Sequence, residues 1–250
     1  MNLLLFEPGE LTDDTAQLPA ADRRAVHLRT VLGAKLGSRV RAGVIGGGAG
    51  LAEVIADDGA ALTLRLQLAA PAAAPPLPIE LVLAVPRPKV LSRTIEIAAA
   101  FGVERIALTN AWRVDKSYLS SPRVAPRALA EAARLGAEQG ATTHVPPIEL
   151  HRRLMALLDT RWPAPDAPPR TKLVAHPGGA PIERALEGEA AAGPIALAIG
   201  PEGGWIAREV ETFAARGFAV VSLGSAILRV EAAVAAALGQ LVLLRRLRAG

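Results

Sequence analysis

The sequence predicts an α/β protein: a mostly parallel sheet flanked by helices, preceded by a small β-barrel or sandwich. Three observations carry that expectation. A proline-rich stretch at residues 69–78, "AAPAAAPPLP", cuts the chain in two. The hydrophobic period differs on its two sides, strict alternation before it and unbroken apolar runs with helical segments after it. Two of the late apolar runs end in glycine corners, "IGPEGGW" and "LGSAILRVE".

Before the linker, "ALTLRLQL" (61–68) puts Leu62, Leu64, Leu66 and Leu68 on one face and Thr63, Arg65 and Gln67 on the other, as in a half-buried antiparallel strand. "SRVRAGVI" and "LAEVIA" flank "GGGAG", and "DDGA" follows, so short strands joined by glycine turns are expected. "VIGGGAGLAEVI" imitates a dinucleotide fingerprint. However, Leu51 stands where the third small residue is needed, and a strand rather than a helix follows, which makes it a hairpin turn.

After the linker, "IELVLAV" (79–85) is a continuous apolar strand, and "VLSRTIEIAAAF" (90–101) is a helix closed by Gly102. "RIAL" (105–108) is the next strand, followed by helices near 125–140 and 148–159. A second proline-rich loop, 161–170, precedes the buried strands "KLVA", "IALAIG" and "VVSLG", with helices at 207–216 and about 229–248. Apolar, doubly buried strands alternating with helices predict a parallel sheet. The last helix is apolar over so wide an arc that it suits a core helix or a subunit interface equally.

With 250 residues, half of them hydrophobic, the chain fills one large domain or two smaller ones. It has no cysteine, which excludes disulfides, thiolate metal sites and cysteine nucleophiles. His27, His144, His151 and His176 lack metal-ligand spacing, so no metal is expected. "MNLLLFEPGE" has no basic segment and too short an apolar run for a signal peptide, and no stretch approaches a membrane span. A soluble, cytoplasmic protein is expected. The net charge of +4 is a mild basic excess. Within it, "RRAVHLRTVLGAKLGSRVR" carries Arg23, Arg24, Arg29, Lys35, Arg39 and Arg41 with no carboxylate between them. That is a solvated face or a phosphate footprint.

The glycine corners carry the chemistry. Both stand where a buried strand ends, the place where ligands of open parallel sheets bind. "IGPEGGW" has neither the Gly-Lys-Ser/Thr ending of a phosphate loop nor dinucleotide spacing. Ile199, Gly200, Pro201, Gly203 and Gly204 in one corner, and Leu223, Gly224, Ile227 and Leu228 in the other, offer backbone amides and carbonyls and apolar walls. No lysine stands in either loop, while Glu202 does. This composition suits an adenine-bearing ligand that is not strongly anionic, a description S-adenosylmethionine meets.

"GPEGGW…E" followed by "LG…ILRVE" resembles the paired signatures of the RsmE family, ribosomal RNA small subunit methyltransferases that modify N3 of a uridine in 16S rRNA. The resemblance extends over nearly the whole chain. "HLRTVLGAKLGSRV" (27–40) is similar to the family's RNA-binding, PUA-like barrel. "RPKVLSRTIEIAAAFGVERIALTNAWR" (87–113) is similar to its first strand–helix–strand unit, and Glu138–Gln139 with Val145–Pro146 to the segment that follows. Three positions depart from the family: Gly33 and Thr142 where arginine is common, and Ala232 where threonine is usual. The resemblance implies a PUA-like barrel over 1–70 and a SPOUT domain over 78–250 whose C-terminal part threads a trefoil knot. It implies a homodimer, S-adenosylmethionine as cofactor with Leu108 and Thr109 added to its site, and 16S rRNA or the small ribosomal subunit as partner. RNA contact is expected at Arg23, Arg24, His27, Arg29 and Lys35. Uracil N3 must lose a proton before it can attack, so the site needs a group that stabilises the anion, and Arg229, which follows the second glycine corner, is the first choice. Glu202 or Glu231 is then a base, a cap or a partner that orients Arg229. The same loops would serve another RNA site, and glycines that only make turns would suit a non-catalytic assembly factor.

Overall fold

The computed structural model describes residues 1–69, 73–169, 171–186 and 193–249. Residues 70–72, where the expected barrel ends, and Arg170, at the end of the second proline-rich loop, lie outside them. Contacts divide the chain into two compact units, Met1–Pro75 with Ala137–Val145, and Pro76–Gly136 with Pro146–Gly250. Residues 137–145, which sequence reasoning leaves in the α/β part, pack with the first unit.

The first unit holds β1 (Leu4–Phe6), β2 (Thr15–Pro19), α1 (Arg23–Thr30), β3 (Arg39–Val44), β4 (Ala49–Asp57) and β5 (Ala61–Leu68). Its sheet runs β1-β3-β4-β5-β2, a curled half-barrel with β1 and β2 at its edges. β1 pairs parallel with β3, and the other neighbours are antiparallel. The alternation in β5 is realised through Leu62, Leu64 and Leu66, which join Leu4, Phe6, Leu18, Leu28 and Val54 in the core, whereas Leu68 is left exposed. "GGGAG" is the β3–β4 hairpin. Gly46 turns it with φ +70°, and a Cβ on Gly50 would stand 2.0 Å from the Gln67 carbonyl oxygen. A smaller core joins Leu3 and Leu5 to Ala137, with Ile45, Ala141 and Val145 against it.

The basic run is largely spoken for. Arg24 is buried, not a surface cation: its guanidinium meets Glu10, Asp22 and the Leu5 carbonyl. Arg23 pairs with Glu138 at 2.8 Å, and Arg29 grips Asp57 through two bonds of 3.1 and 2.6 Å. Arg39 pairs with Glu53 across the β3–β4 ladder. His27 is half-buried and Lys35 exposed. The expectation that Arg23, Arg24 and Arg29 form an uncompensated phosphate footprint is therefore corrected. The carboxylates missing from the run arrive from its flank and from distant segments. Burial alone would raise the Asp22 carboxyl, but hydrogen bonds from Arg24 hold it below its ordinary value. The stability this pairing contributes is complete above the ordinary value and is lost as pH falls through the lowered one. Arg24→Ala should lower the unfolding free energy by about 3–5 kcal/mol, because two carboxylates and a carbonyl lose their donor in a part-buried place. Urea unfolding measures it, and a wild-type midpoint would return Arg24 to the surface.

The second unit is built on β6 (Leu77–Ala84), α2 (Pro88–Ala100), β7 (Val103–Thr109), α3 (Pro126–Gly140), β8 (Ile148–His151), α4 (Leu154–Arg161), β9 (Thr171–Pro181), β10 (Ile195–Ile199), α5 (Ala207–Ala215), β11 (Ala219–Ser222) and α6 (Val230–Ala249). The sheet order is β11-β9-β10-β6-β7-β8, and every pairing in it is parallel. β10 lies inside the sheet with all five residues buried. α2 buries Leu91, Thr94, Ile95, Ala98 and Ala99, the i, i+3, i+4, i+7, i+8 stripe its period predicts, and ends before Gly102 at φ +72°. One expected helix is corrected: residues 148–151 form the edge strand β8, and only 154–161 are helical. "IELH" alternates over too few residues to separate the two periods, and pairing with β7 decides for the strand. α6 buries Val230, Val234, Ala237, Leu238 and Leu241 and leaves Leu243 and Leu247 exposed.

Candidate active site

Strand order sets the site. β9, β10 and β11 are neighbours, all parallel, so their C-terminal ends open on one edge of the sheet. β9 breaks ladder there: Val220 pairs with Val174, but Val221 pairs with Ala180, and residues 175–179 stand out of register. A Cβ on Gly179 would lie 2.4 Å from the Val221 carbonyl carbon, so only glycine lets the displaced segment cross β11 so closely.

Three loops therefore converge, and between them is a cavity of about 280 Å³. Its walls include Ala175, His176 and Pro177 from β9, Ile199 to Trp205 after β10, and Ser222 to Gly224 with Ala226 to Leu228 after β11. Val230 and Ala233 of α6 complete them. No lysine or arginine lines it, and Glu202 does. A second cavity of about 600 Å³ shares Pro177, Ser222, Leu223 and Gly224 with the first.

Each loop is held from below. The Gly204 amide donates to the Pro201 carbonyl at 2.8 Å, with Gly204 at φ +70°. A Glu202 carboxylate oxygen accepts from the Arg87 amide at 2.8 Å, at the start of α2, and Arg113 donates to the Gly203 carbonyl. Trp205 is buried under the corner, edge-on to Phe213, which continues to Phe218 and Trp162. Its indole N–H has no partner among the described residues. On the other corner, Gln240 of α6 donates to the Leu223 carbonyl at 2.9 Å, and the Ser222 hydroxyl donates to the Gly224 carbonyl at 3.0 Å.

Nine of the expected cofactor residues line the cavity: Ile199, Gly200, Pro201, Gly203, Gly204, Leu223, Gly224, Ile227 and Leu228. Leu108 and Thr109 do not. They are fully buried at the end of β7, and β6 separates that strand from β10. Arg229 is exposed beside the lining residues Leu228 and Val230, and its carbonyl accepts from the Ala233 amide at 2.7 Å. Glu231 is half-buried in the first turn of α6. Sequence reasoning missed the 175–177 wall, including His176, whose ring Nδ1 accepts from the Gly178 amide. "HPGGAP" is the signal that could have shown it, since proline and paired glycines do not belong in a regular strand.

The RNA methyltransferase domain family matches residues 73–242, well over half of the chain. The protein belongs to that family. Among curated relatives of this RNA methyltransferase is ribosomal RNA small subunit methyltransferase E of Treponema pallidum, 28% identical over 240 residues, covering 95% of this chain and 89% of the relative. Two solved structures share the fold. One is ribosomal RNA small subunit methyltransferase E from Neisseria gonorrhoeae bound to S-adenosyl methionine, with a TM-score of 0.74 at 22% identity over 97% of this chain and 98% of that one. The other is a Legionella pneumophila protein in complex with SAM, with a TM-score of 0.74 at 21% identity over 96% of both chains. Among the described residues of this family member, no group of three or more histidine, aspartate or glutamate side chains is arranged to hold a metal ion. No helix there is long and apolar enough to cross a membrane.

Proposed function

We propose that this RNA methyltransferase transfers the methyl group of S-adenosylmethionine to N3 of a uridine in the 16S rRNA of the small ribosomal subunit, as a cytoplasmic homodimer. The observation that carries the reading is the convergence of both glycine corners on one cavity without lysine or arginine in its walls. The walls fit the cofactor: glycine backbone and aliphatic side chains would hold the adenine, and a wall with Glu202 and without lysine or arginine suits a ligand that carries a positive charge. The likeness to the Treponema enzyme over 95% of the chain supports 16S rRNA as substrate.

In this reading Gly200, Gly203, Gly204 and Gly224 let the backbone approach the cofactor, with Ile199, Leu223, Ile227 and Leu228 as apolar walls. The cofactor supplies an electrophilic methyl group. Arg229 stabilises the charge spread over the uracil carbonyls when N3 loses its proton, and its fixed fork suits a planar edge with two acceptors. Glu202 holds the corner to the start of α2 through Arg87, and Glu231, two residues beyond Arg229, orients its guanidinium. Alignment of N3 with the methyl group supplies the rest of the acceleration. The exposed Leu243 and Leu247 of α6 offer the dimer an apolar face. The C-terminal segment, in the same reading, carries the trefoil knot.

Two measurements test this. Calorimetry should detect S-adenosylmethionine binding. Mass mapping of 16S rRNA from cells lacking the protein should show one uridine without its methyl group, restored on complementation. Absence of cofactor binding at millimolar concentration would leave an assembly factor. A missing methyl group elsewhere would move the substrate.

A further inference from the structure

We infer that Trp112 is a stacking platform for an unpaired base of the RNA beside the cavity, an inference that rests on the RNA methyltransferase reading above. A lone exposed hydrophobic side chain carries little information. Three observations make this one different.

The chain has three tryptophans. Trp162 and Trp205 are 1% and 3% exposed, whereas Trp112 is 79% exposed. Its backbone, moreover, is fixed. The Val114 amide donates to the Ala111 carbonyl at 3.0 Å, so Trp112 and Arg113 are the two central residues of a tight turn whose corners, Ala111 and Val114, are buried. The Trp112 amide donates to one Glu209 carboxylate oxygen at 2.8 Å, and the other oxygen accepts from the Ile206 amide at 3.0 Å. One side chain thus ties the turn to the end of the 200–206 corner. Arg113 ties it again through the Gly203 carbonyl, lying so close that a Cβ on Gly203 would be 2.9 Å from its Cδ.

The third observation is charge. Arg87, Arg113 and Arg229 are all exposed and each is anchored to, or adjoins, a residue of the cavity wall: Glu202, Gly203, and Leu228 with Val230. None of the three guanidinium groups has a carboxylate partner among the described residues, since Arg87 meets Glu202 through its backbone amide. The basic run of the first unit, by contrast, has Arg23, Arg24 and Arg29 in ion pairs. An exposed aromatic on a fixed turn, tied to a cavity wall that also carries exposed arginines, is the chemistry that receives a splayed-out base and the phosphates on either side of it. The indole stacks on the base and the Arg87 and Arg113 guanidinium groups meet the phosphodiester oxygens, while Arg229 keeps its place at the target uracil.

The test compares Trp112→Ala, Trp112→Leu and Trp112→Phe with the wild type on small ribosomal subunits purified from cells that lack the protein. Alanine and leucine should each raise KM for the subunits about 5- to 150-fold, the range expected for one lost base stack. Phenylalanine should restore most of the affinity. Calorimetric affinity for S-adenosylmethionine, melting temperature and sedimentation coefficient should stay at wild-type values in all three. Leucine performing as well as phenylalanine, or alanine as well as tryptophan, overturns the platform while the wild type still methylates. Dissociation of a dimer by Trp112→Ala overturns it in favour of a second copy of the chain. Weaker binding to subunits with unchanged binding to free 16S rRNA overturns it in favour of a protein contact. Wild-type protein that transfers no methyl group to the subunits overturns the functional reading itself, and the platform with it.

Discussion

Arg229→Ala should bind S-adenosylmethionine normally and lose about 10²–10³ in the single-turnover rate of methyl transfer to the small subunit, the cost of removing one donor to a developing anion. Arg229 is exposed, and its backbone carbonyl, which accepts from the Ala233 amide, ties it to the fold while its guanidinium has no carboxylate partner among the described residues. Loss of its guanidinium should therefore leave stability near that of the wild type. A structural arginine behaves in the opposite way: stability falls first, and activity falls with it. Lysine should rescue poorly, since it keeps the charge and loses the planar fork. Melting temperature, cofactor calorimetry and single-turnover methylation, taken together on the two variants, separate the roles. A fully active Arg229→Ala would remove the residue from the reaction, and a fully active Arg229→Lys would show that charge alone suffices.

Gly203→Val should weaken cofactor binding by about two orders of magnitude with the fold intact. Overpacking typically costs about 1–3 kcal/mol, and at this place the cost falls on the bound state. A side chain at 203 meets Arg113, whose Cβ and Cδ lie 3.2 and 2.9 Å from the Cβ position. Arg113 is exposed and can move away, so the unliganded protein tolerates the change, but the corner then loses the Arg113 bond that shapes it. Calorimetry with S-adenosylmethionine measures the loss. Wild-type affinity in a folded Gly203→Val would take this corner out of the site.

Much of the cavity wall is legible in the sequence because its residues stand in short segments. Both glycine corners sit within a few residues of the strands that present them, so local pattern sufficed. What depends on long-range pairing is not. The charge of Arg23, Arg24 and Arg29 looked uncompensated because Glu10, Asp57 and Glu138 lie elsewhere in the chain. Leu108 and Thr109, which only the family likeness adds to the site, end a strand that β6 separates from β10 and do not line the cavity. The 175–177 wall depends on a register break that only the pairing of β9 with β11 reveals. β8 was read as helix because four residues do not declare a period.

The small core that joins Leu3 and Leu5 to Ala137 and Val145 has a consequence for synthesis. A nascent chain that has emerged only as far as residue 75 contains every strand of the first sheet, yet lacks the residues that cover one side of its opening strand. The unit written first is completed only after the start of the second has left the ribosome. Until then Leu3 and Leu5 remain open to chaperones, and a gene cut at the proline-rich stretch would yield a complete sheet over a permanently unfinished core.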